Sequence, residues 1–305
     1  MTGRADEPRA TPAPAPSPAA PARPEIAAVS VVAAGSAPGP PLSLAGLAGR
    51  AVGLVESRGR RVLLGVTGAP GAGKTTFVRV LCATVRSLPG WGAPGQVVAV
   101  PMDGYHLADV ELDRLGRRGA KGAVDTFDAA GFVALLRRLA DPGPEIVYAP
   151  AFDRVLEQPV AGSIPIGPAA RLVVTEGIHL LAPEPGWAAV AELLDEVWFL
   201  DVDPGVRSER LVARHVVFGK DPEAAVRWVA AVDEPNASRV DARRSAADLV
   251  VAYDQLDLEP DLGLGLGLGL EDEHDHEHDL GLSRSEDHGQ EDDRDRGSDH
   301  GPRPA

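Results

Sequence analysis

Apolar residues change their spacing repeatedly between positions 42 and 254. Short continuous runs rich in β-branched side chains occur at "RVLLGVT", "QVVAVPM", "EIVYAP", "RLVVTEG", "EVWFLDVD" and "DLVVAY". Such runs mark strands buried on both faces. Between them the spacing lengthens to threes and fours, which predicts helices over residues 74–87, 110–115, 128–140, 187–194, 204–217 and 221–232. A leading helix in "SLAGLAGRAVGLVESRG" is predicted to stop at Gly59. Asp128 is a predicted N-cap, and Pro204 suits the first position of its helix. Alternation of the two spacings predicts an α/β domain with a mainly parallel central sheet flanked by helices.

The pattern disappears at both ends. Residues 1–41 are saturated with Pro and Ala, which removes backbone donors and leaves little to bury, so a disordered arm is expected. Residues 255–305 are expected to be a disordered acidic tail that carries His274, His276 and His278. From Asp254 onward 17 acidic residues face four Arg, so the tail accounts for nearly all of the net charge of −15. The remaining domain, residues 42–254, is close to neutral. A nucleic-acid partner is therefore not expected, since no basic stretch with interleaved aromatics occurs. No apolar run reaches the ~20 residues that span a bilayer, and Asp6, Glu7 and repeated Pro replace the apolar block of a secretory signal. No membrane association and a cytoplasmic location are the expectations.

Two scarce residue types sharpen the picture. Cys82 is the single cysteine and falls in an apolar-periodic stretch, so it reads as a small core hydrophobe. Lysine occurs three times, at Lys74, Lys121 and Lys220, among 30 basic residues. Each marks a place to look for a need for a compact ammonium that a planar guanidinium does not meet, with chance placement as the plainer reading.

Lys74 belongs to "GVTGAPGAGKTT", which fits G-x-x-x-x-G-K-[ST] between a predicted strand and a predicted helix. Successive N–H groups in such a loop surround phosphate oxygens, and the helix N-terminus adds partial positive charge. ATP phosphates are accordingly expected on Gly68, Ala69, Gly71, Ala72, Gly73, Lys74, Thr75 and Thr76, with Lys74 serving catalysis and Thr75 the Mg²⁺.

Two carboxylates stand at the ends of buried runs. Asp103, in "VPMDGYHL", is placed to take a proton from an attacking hydroxyl, with an Asp-Gly turn as the plainer reading. Glu176, in "RLVVTEGIHLL", is placed to hold Mg²⁺ and its waters, with helix capping as the alternative. Arg207, Arg210 and Arg214 recur at i, i+3 and i+7 on one helix face, either solvated or closing over phosphate. Taken alone, His106 reads as a surface imidazole.

Together, and in this order, "GVTGAPGAGKTT", "MDGYH", "RRGAKGAVDTFD", "AFDR" and "TEGIHLL" resemble the motifs of the uridine kinase, phosphoribulokinase and bacterial pantothenate kinase group. The resemblance runs from about Val62 to Tyr253. It implies a P-loop NTPase fold with a small helical lid, and an ATP-dependent kinase acting on a small-molecule alcohol. It implies that Asp103 activates the acceptor hydroxyl and that Glu176 stands beside Mg²⁺. Arg210 and Arg214 correspond to the lid that caps ATP. Asp125, Asp153 and Arg154, with Tyr105 and His106, fall in segments that meet the acceptor. The sequence departs from uridine kinases at "GYHL" and at "RHVVFGKDPEAAVRWVAAVDEPNA", where it is similar to the nucleoside/nucleotide kinase-like branch. Nucleoside, pantothenate-like and sugar acceptors stay open, as does homo-oligomerisation.

A rival reading is a metallochaperone-type GTPase whose His/Asp tail binds metal. It requires a guanine-reading N/T-K-x-D motif. None of the three lysines supplies one, because Lys74 is followed by Thr-Thr, Lys121 by Gly-Ala and Lys220 by Asp-Pro.

Overall fold

A computed structural model describes residues 43–141 and 143–253. Helix α1 (Leu44–Arg58) begins where the Ser43 side chain accepts the Gly46 N–H, and it ends on Gly59 in the left-handed conformation. Strand β1 (Val62–Thr67) follows, then α2 (Lys74–Ser87), β2 (Val97–Pro101), α3 (Asp109–Arg114) and α4 (Ala129–Ala140), the last capped by Asp128. Strands β3 (Val147–Asp153), β4 (Gln158–Ile166) and β5 (Leu172–Glu176) lead to α5 (Ala188–Leu193) and β6 (Glu196–Asp201). Helices α6 (Pro204–Val217), α7 (Pro222–Trp228) and α8 (Glu234–Asp241) precede the last strand, β7 (Leu249–Ala252).

The central sheet is parallel throughout, in the order β2-β5-β1-β6-β7. Alternation along each strand divides the core in two. Val62, Leu64 and Val66 of β1, with Val174 of β5 and Leu200 of β6, face α1 and α2. Leu63, Val173 and Val197 point the other way, against α4, Trp187 and α5. Each fully buried Leu or Val contributes about 1.5–3 kcal/mol, so covering both faces explains the unbroken apolar runs. Cys82 lies in the first core, its thiol pushed up to about 11 by burial, which fits a hydrophobe and not a nucleophile.

Three differences from the sequence reading stand out. The strand expected at "EIVYAP" forms, but it pairs antiparallel with β4 in a separate two-stranded sheet. Strand β4 was not expected, because "QPVAGSIPI" contains two Pro and a Gly and keeps only Ile164 and Ile166 buried. The helix expected over 221–232 stops at Trp228, passes through a π turn at Val229–Asp233 and resumes as α8. The arm at 1–41 and the tail at 255–305, with its three histidines, lie outside the described residues. Among the described residues no helix is long and apolar enough to cross a membrane.

Candidate active site

Register places the chemistry. Val66 of β1 and Pro101 of β2 both align with Glu176 of β5, so three strands reach the same edge together. The phosphate-binding loop leaves β1 there, Glu176 closes β5, and a 3-10 turn at Met102–Tyr105 carries Asp103 just past β2. The crevice beyond the carboxyl ends of parallel strands is where such sheets bind ligands.

Loop geometry follows from its small residues. Gly71 has φ 79°, and a Cβ there would lie 2.8 Å from the Arg207 carbonyl oxygen, so neither the conformation nor the space admits a side chain. Ala69 and Ala72 are buried, and Gly73 opens α2 in the left-handed conformation. Lys74 Nζ donates to the carbonyls of Gly68 and Ala69 at 3.0 and 3.2 Å. Burial lowers its pKa, while the Glu176 and Asp103 carboxylates pull the other way. Thr75, on the exposed side of the first turn, donates to Glu176 Oε1 at 2.7 Å, and Thr76 is half-buried beside it.

Glu176 is 6% exposed, and its pKa is raised by burial and by the neighbouring Asp103 charge, against the opposing effects of Lys74 and Thr75. A buried carboxylate with so little compensation fits a position where a divalent cation sits when nucleotide is bound. Among the described residues no three His, Cys, Asp or Glu gather as a metal cluster.

Asp103 is held close to the β3–β4 hairpin by Gly104, since a Cβ on Gly104 would collide with the Pro150 carbonyl. Arg154 Nη2 lies 3.4 Å from Asp103 Oδ2, and its guanidinium stands over the Phe152 ring at 5.5 Å. Asp153 turns elsewhere. Its Oδ1 accepts the N–H groups of Val155 and Leu156, each at 2.8 Å, closing the hairpin turn from which Arg154 projects. Next in that turn Glu157 takes φ 53°, unusual for a side-chain-bearing residue. Lys121 Nζ binds its carbonyl at 2.6 Å and also Asp109 at 2.8 Å.

The residues expected to meet the acceptor divide. His106 is not a surface imidazole. Its Nδ1 donates to the Asp103 carbonyl at 2.8 Å, its ring centre lies 4.0 Å from that of Phe127, and burial lowers its pKa. Tyr105 stacks edge-on against Phe132, with burial pushing its phenol up to about 12. Asp125 turns to Arg117 at 2.7 Å and is half exposed.

The three arginines of α6 also differ. Arg207 is 3% exposed and donates to the Pro70 carbonyl at 3.3 Å, bracing the loop from behind. Arg210 is exposed and lies 5.9 Å from the Tyr253 ring, whose edge covers Gly73. Arg214 is largely buried, with Asp103, Glu157 and Arg154 acting on its charge.

His179 was not singled out from the sequence, although it follows Glu176 by three residues. It donates from Nε2 to the Gly122 carbonyl at 3.1 Å, contacts Phe127 and Trp187, and is held neutral by burial, its pKa lowered to about 4. The other two lysines each lie over an aromatic ring, as Arg154 and Arg171 also do. Lys121 stands over the Phe152 ring at 5.1 Å, and Lys220 over Trp228 at 4.4 Å.

Known proteins resemble this chain in sequence and in fold. A Schizosaccharomyces pombe protein described as a candidate uridine kinase is 35% identical over 175 residues, 56% of this chain and 72% of its own. An ATP-dependent kinase-like protein of Aspergillus versicolor is 37% identical over 131 residues, 41% of this chain and 76% of its own. A solved structure from Silicibacter sp. TM1040, described as a candidate fructose transport system kinase, superposes with TM-score 0.62 at 34% identity. That match covers 69% of this chain and 99% of the other. YFH7 of Saccharomyces cerevisiae, described as a candidate P-loop-containing kinase with a circular permutation, superposes with TM-score 0.59 at 18% identity over 68% of this chain and 98% of its own, and shows the fold alone. No family model matches the chain.

Proposed function

Because the chain belongs to the uridine kinase-like P-loop kinases, we propose that it passes the γ-phosphoryl group of ATP to an alcohol of a small-molecule acceptor: a nucleoside, a pantothenate-like compound or a sugar. The observation that carries this reading is the meeting of Lys74, Asp103 and Glu176 at one sheet edge, close enough that both carboxylates act on the ammonium.

The main-chain N–H groups of residues 68–76 bind the phosphates, and Lys74 neutralises charge on the γ-phosphoryl oxygens as it leaves ADP. Asp103 accepts the acceptor's hydroxyl proton while that oxygen bonds to the γ-phosphorus and the bond to the bridging oxygen of ADP breaks. Arg154 keeps the Asp103 carboxylate turned toward the crevice. Thr75 and Glu176 would hold Mg²⁺, which when bound neutralises phosphate charge. Arg214 and Arg210 close over the nucleotide and exclude water that would otherwise hydrolyse it. Neutral His106 and His179, with Phe127 and Phe152, give the acceptor side a largely uncharged aromatic wall.

The test is a coupled ADP-release screen over nucleosides, pantothenate and hexoses, with Asp103→Asn as the blank. The reading expects one class to stimulate release at least tenfold, with the blank losing that stimulation yet binding ATP within about threefold of wild type. Equal stimulation in the blank, or none by any class, refutes it.

A further inference from the structure

Helix α6 carries Arg214 and His215 side by side. At about 100° per residue the two side chains leave the helix in different directions. Arg214 lies on the crevice side, within electrostatic reach of Arg154, Asp103 and Glu157. Among the described residues its guanidinium makes no hydrogen bond and no ion pair within 4.0 Å, so direct contacts do not fix it.

His215 points to the neighbouring helical layer, where its Nε2 lies 2.9 Å from Asp233 Oδ2. Both side chains are mostly buried, 16% and 12% exposed. Asp233 reaches that position through the π turn Val229–Asp233, which joins α7 to α8. A π turn holds one residue more than an α turn and rotates everything after it, and such turns recur at functional sites. Trp228, the last residue before the turn, packs its ring 6.3 Å from that of His215, and Lys220 covers it at 4.4 Å. The Asp233 carboxylate also acts favourably on the Arg214 charge. A buried polar pair is costly to desolvate, and an apolar pair of the same volume would hold two helices together at least as well. What the polar pair adds is direction.

We propose that Asp233, acting through His215, is a positioning residue that fixes the rotation of α6 and thereby holds Arg214 toward the terminal phosphate of bound ATP. This rests on the kinase reading above. Neither Asp233 nor His215 touches phosphate or acceptor. The π turn sets where Asp233 stands, His215 transmits that position to the helix, and Arg214 expresses it in the crevice.

The full-length protein tests this in a double-mutant cycle read by two measurements, the dissociation constant of ATP and kcat/KM for ATP in ADP release. Asp233→Asn and His215→Leu should each lower kcat/KM about tenfold, and His215→Gln, which keeps a donor near the position of Nε2, should recover to within about threefold of wild type. In an Arg214→Ala background the same changes should cost less than twofold, because the residue they position is gone. Equal fold-losses in both backgrounds, or a Gln variant as impaired as the Leu variant, would overturn the assignment and leave a purely structural contact. If Asp233→Asn does not fold, the two His215 variants carry the cycle. The ATP dissociation constant separates the two readings. A wild-type chain that fails to bind ATP overturns both, whereas intact binding and transfer with an additive cycle overturns only the positioning pair.

Discussion

Thr75 Oγ1 donates a 2.7 Å hydrogen bond to Glu176 Oε1, joining the first turn after the phosphate-binding loop to the end of a strand 101 residues away. The pair leaves a buried carboxylate with one hydroxyl partner, and with the Lys74 ammonium and the Arg154 guanidinium in electrostatic range. Replacing Glu176 with Gln should therefore raise the Mg²⁺ concentration for half-maximal activity by about tenfold. Without nucleotide or Mg²⁺ the same variant should be more stable at pH 7, by about 1–3 kcal/mol, because an under-compensated buried charge has gone. The sign follows from the raised pKa, since a folded state that favours the protonated acid loses stability as pH rises. A magnesium titration and a thermal melt on one preparation decide it; lower stability together with unchanged Mg²⁺ dependence would contradict both halves.

Lys74 is buried and donates to two loop carbonyls. Lys74→Ala should lower kcat/KM by at least 10²–10³-fold, as deletion of preorganised charge at a developing oxyanion does. Lys74→Arg should restore little of it, because a planar fork cannot occupy the place of a compact ammonium. Single-turnover ADP formation is the measurement, and near-wild-type rates in either variant would contradict the placement.

Gly104 allows the turn carrying Asp103 to lie against the Pro150 carbonyl. Gly104→Ala should cost about 1–3 kcal/mol of stability through overpacking. It should also lower turnover at least tenfold while ATP affinity stays within about threefold, since the loop bears the nucleotide and this turn bears Asp103. Urea denaturation and ATP titration separate the effects; loss of ATP affinity would show that the turn and the loop are not independent.

His179 titrates near pH 4 when folded and near 6.5 when unfolded, so between those values the unfolded chain binds the extra proton. Its contribution to stability is complete above pH 6.5 and is lost as pH falls toward 4, a loss on the order of 2–3 kcal/mol. His106, also lowered, adds in the same direction. Urea midpoints at pH 7 and pH 4.5 should show a smaller drop for His179→Gln than for wild type; an equal drop would mean that the imidazole does not titrate as described.

Much of the fold was legible because it depends on local rules. The end of α1 followed from a glycine stop, and α2 and α6 began and ended where periodicity placed them. The loop was legible because its small residues and lysine have one common use. Strand β4 was not, because a half-exposed strand containing Pro and Gly carries no apolar signature of its own and exists through its pairing with β3. Nor was the π turn, since the residue it inserts leaves no mark in composition. His106 seemed a surface residue because Phe127 and Phe152, which bury it, come from distant segments. Arg207 and Arg214 looked equivalent on one helix face, and only tertiary packing assigned one to the back of the loop and the other to the crevice.

Among the described residues the β3–β4 hairpin shares no hydrogen-bonded ladder with the five-stranded sheet. The alignment of Val66, Pro101 and Glu176 therefore places no demand on the hairpin's own register. The hairpin instead reaches the site through Arg154 beside Asp103 and the Pro150 carbonyl against Gly104, so a grafted hairpin of another length leaves the machinery beside the phosphate loop in place only where it keeps those two positions, and the strand faces away from them are the natural starting point for altering selectivity.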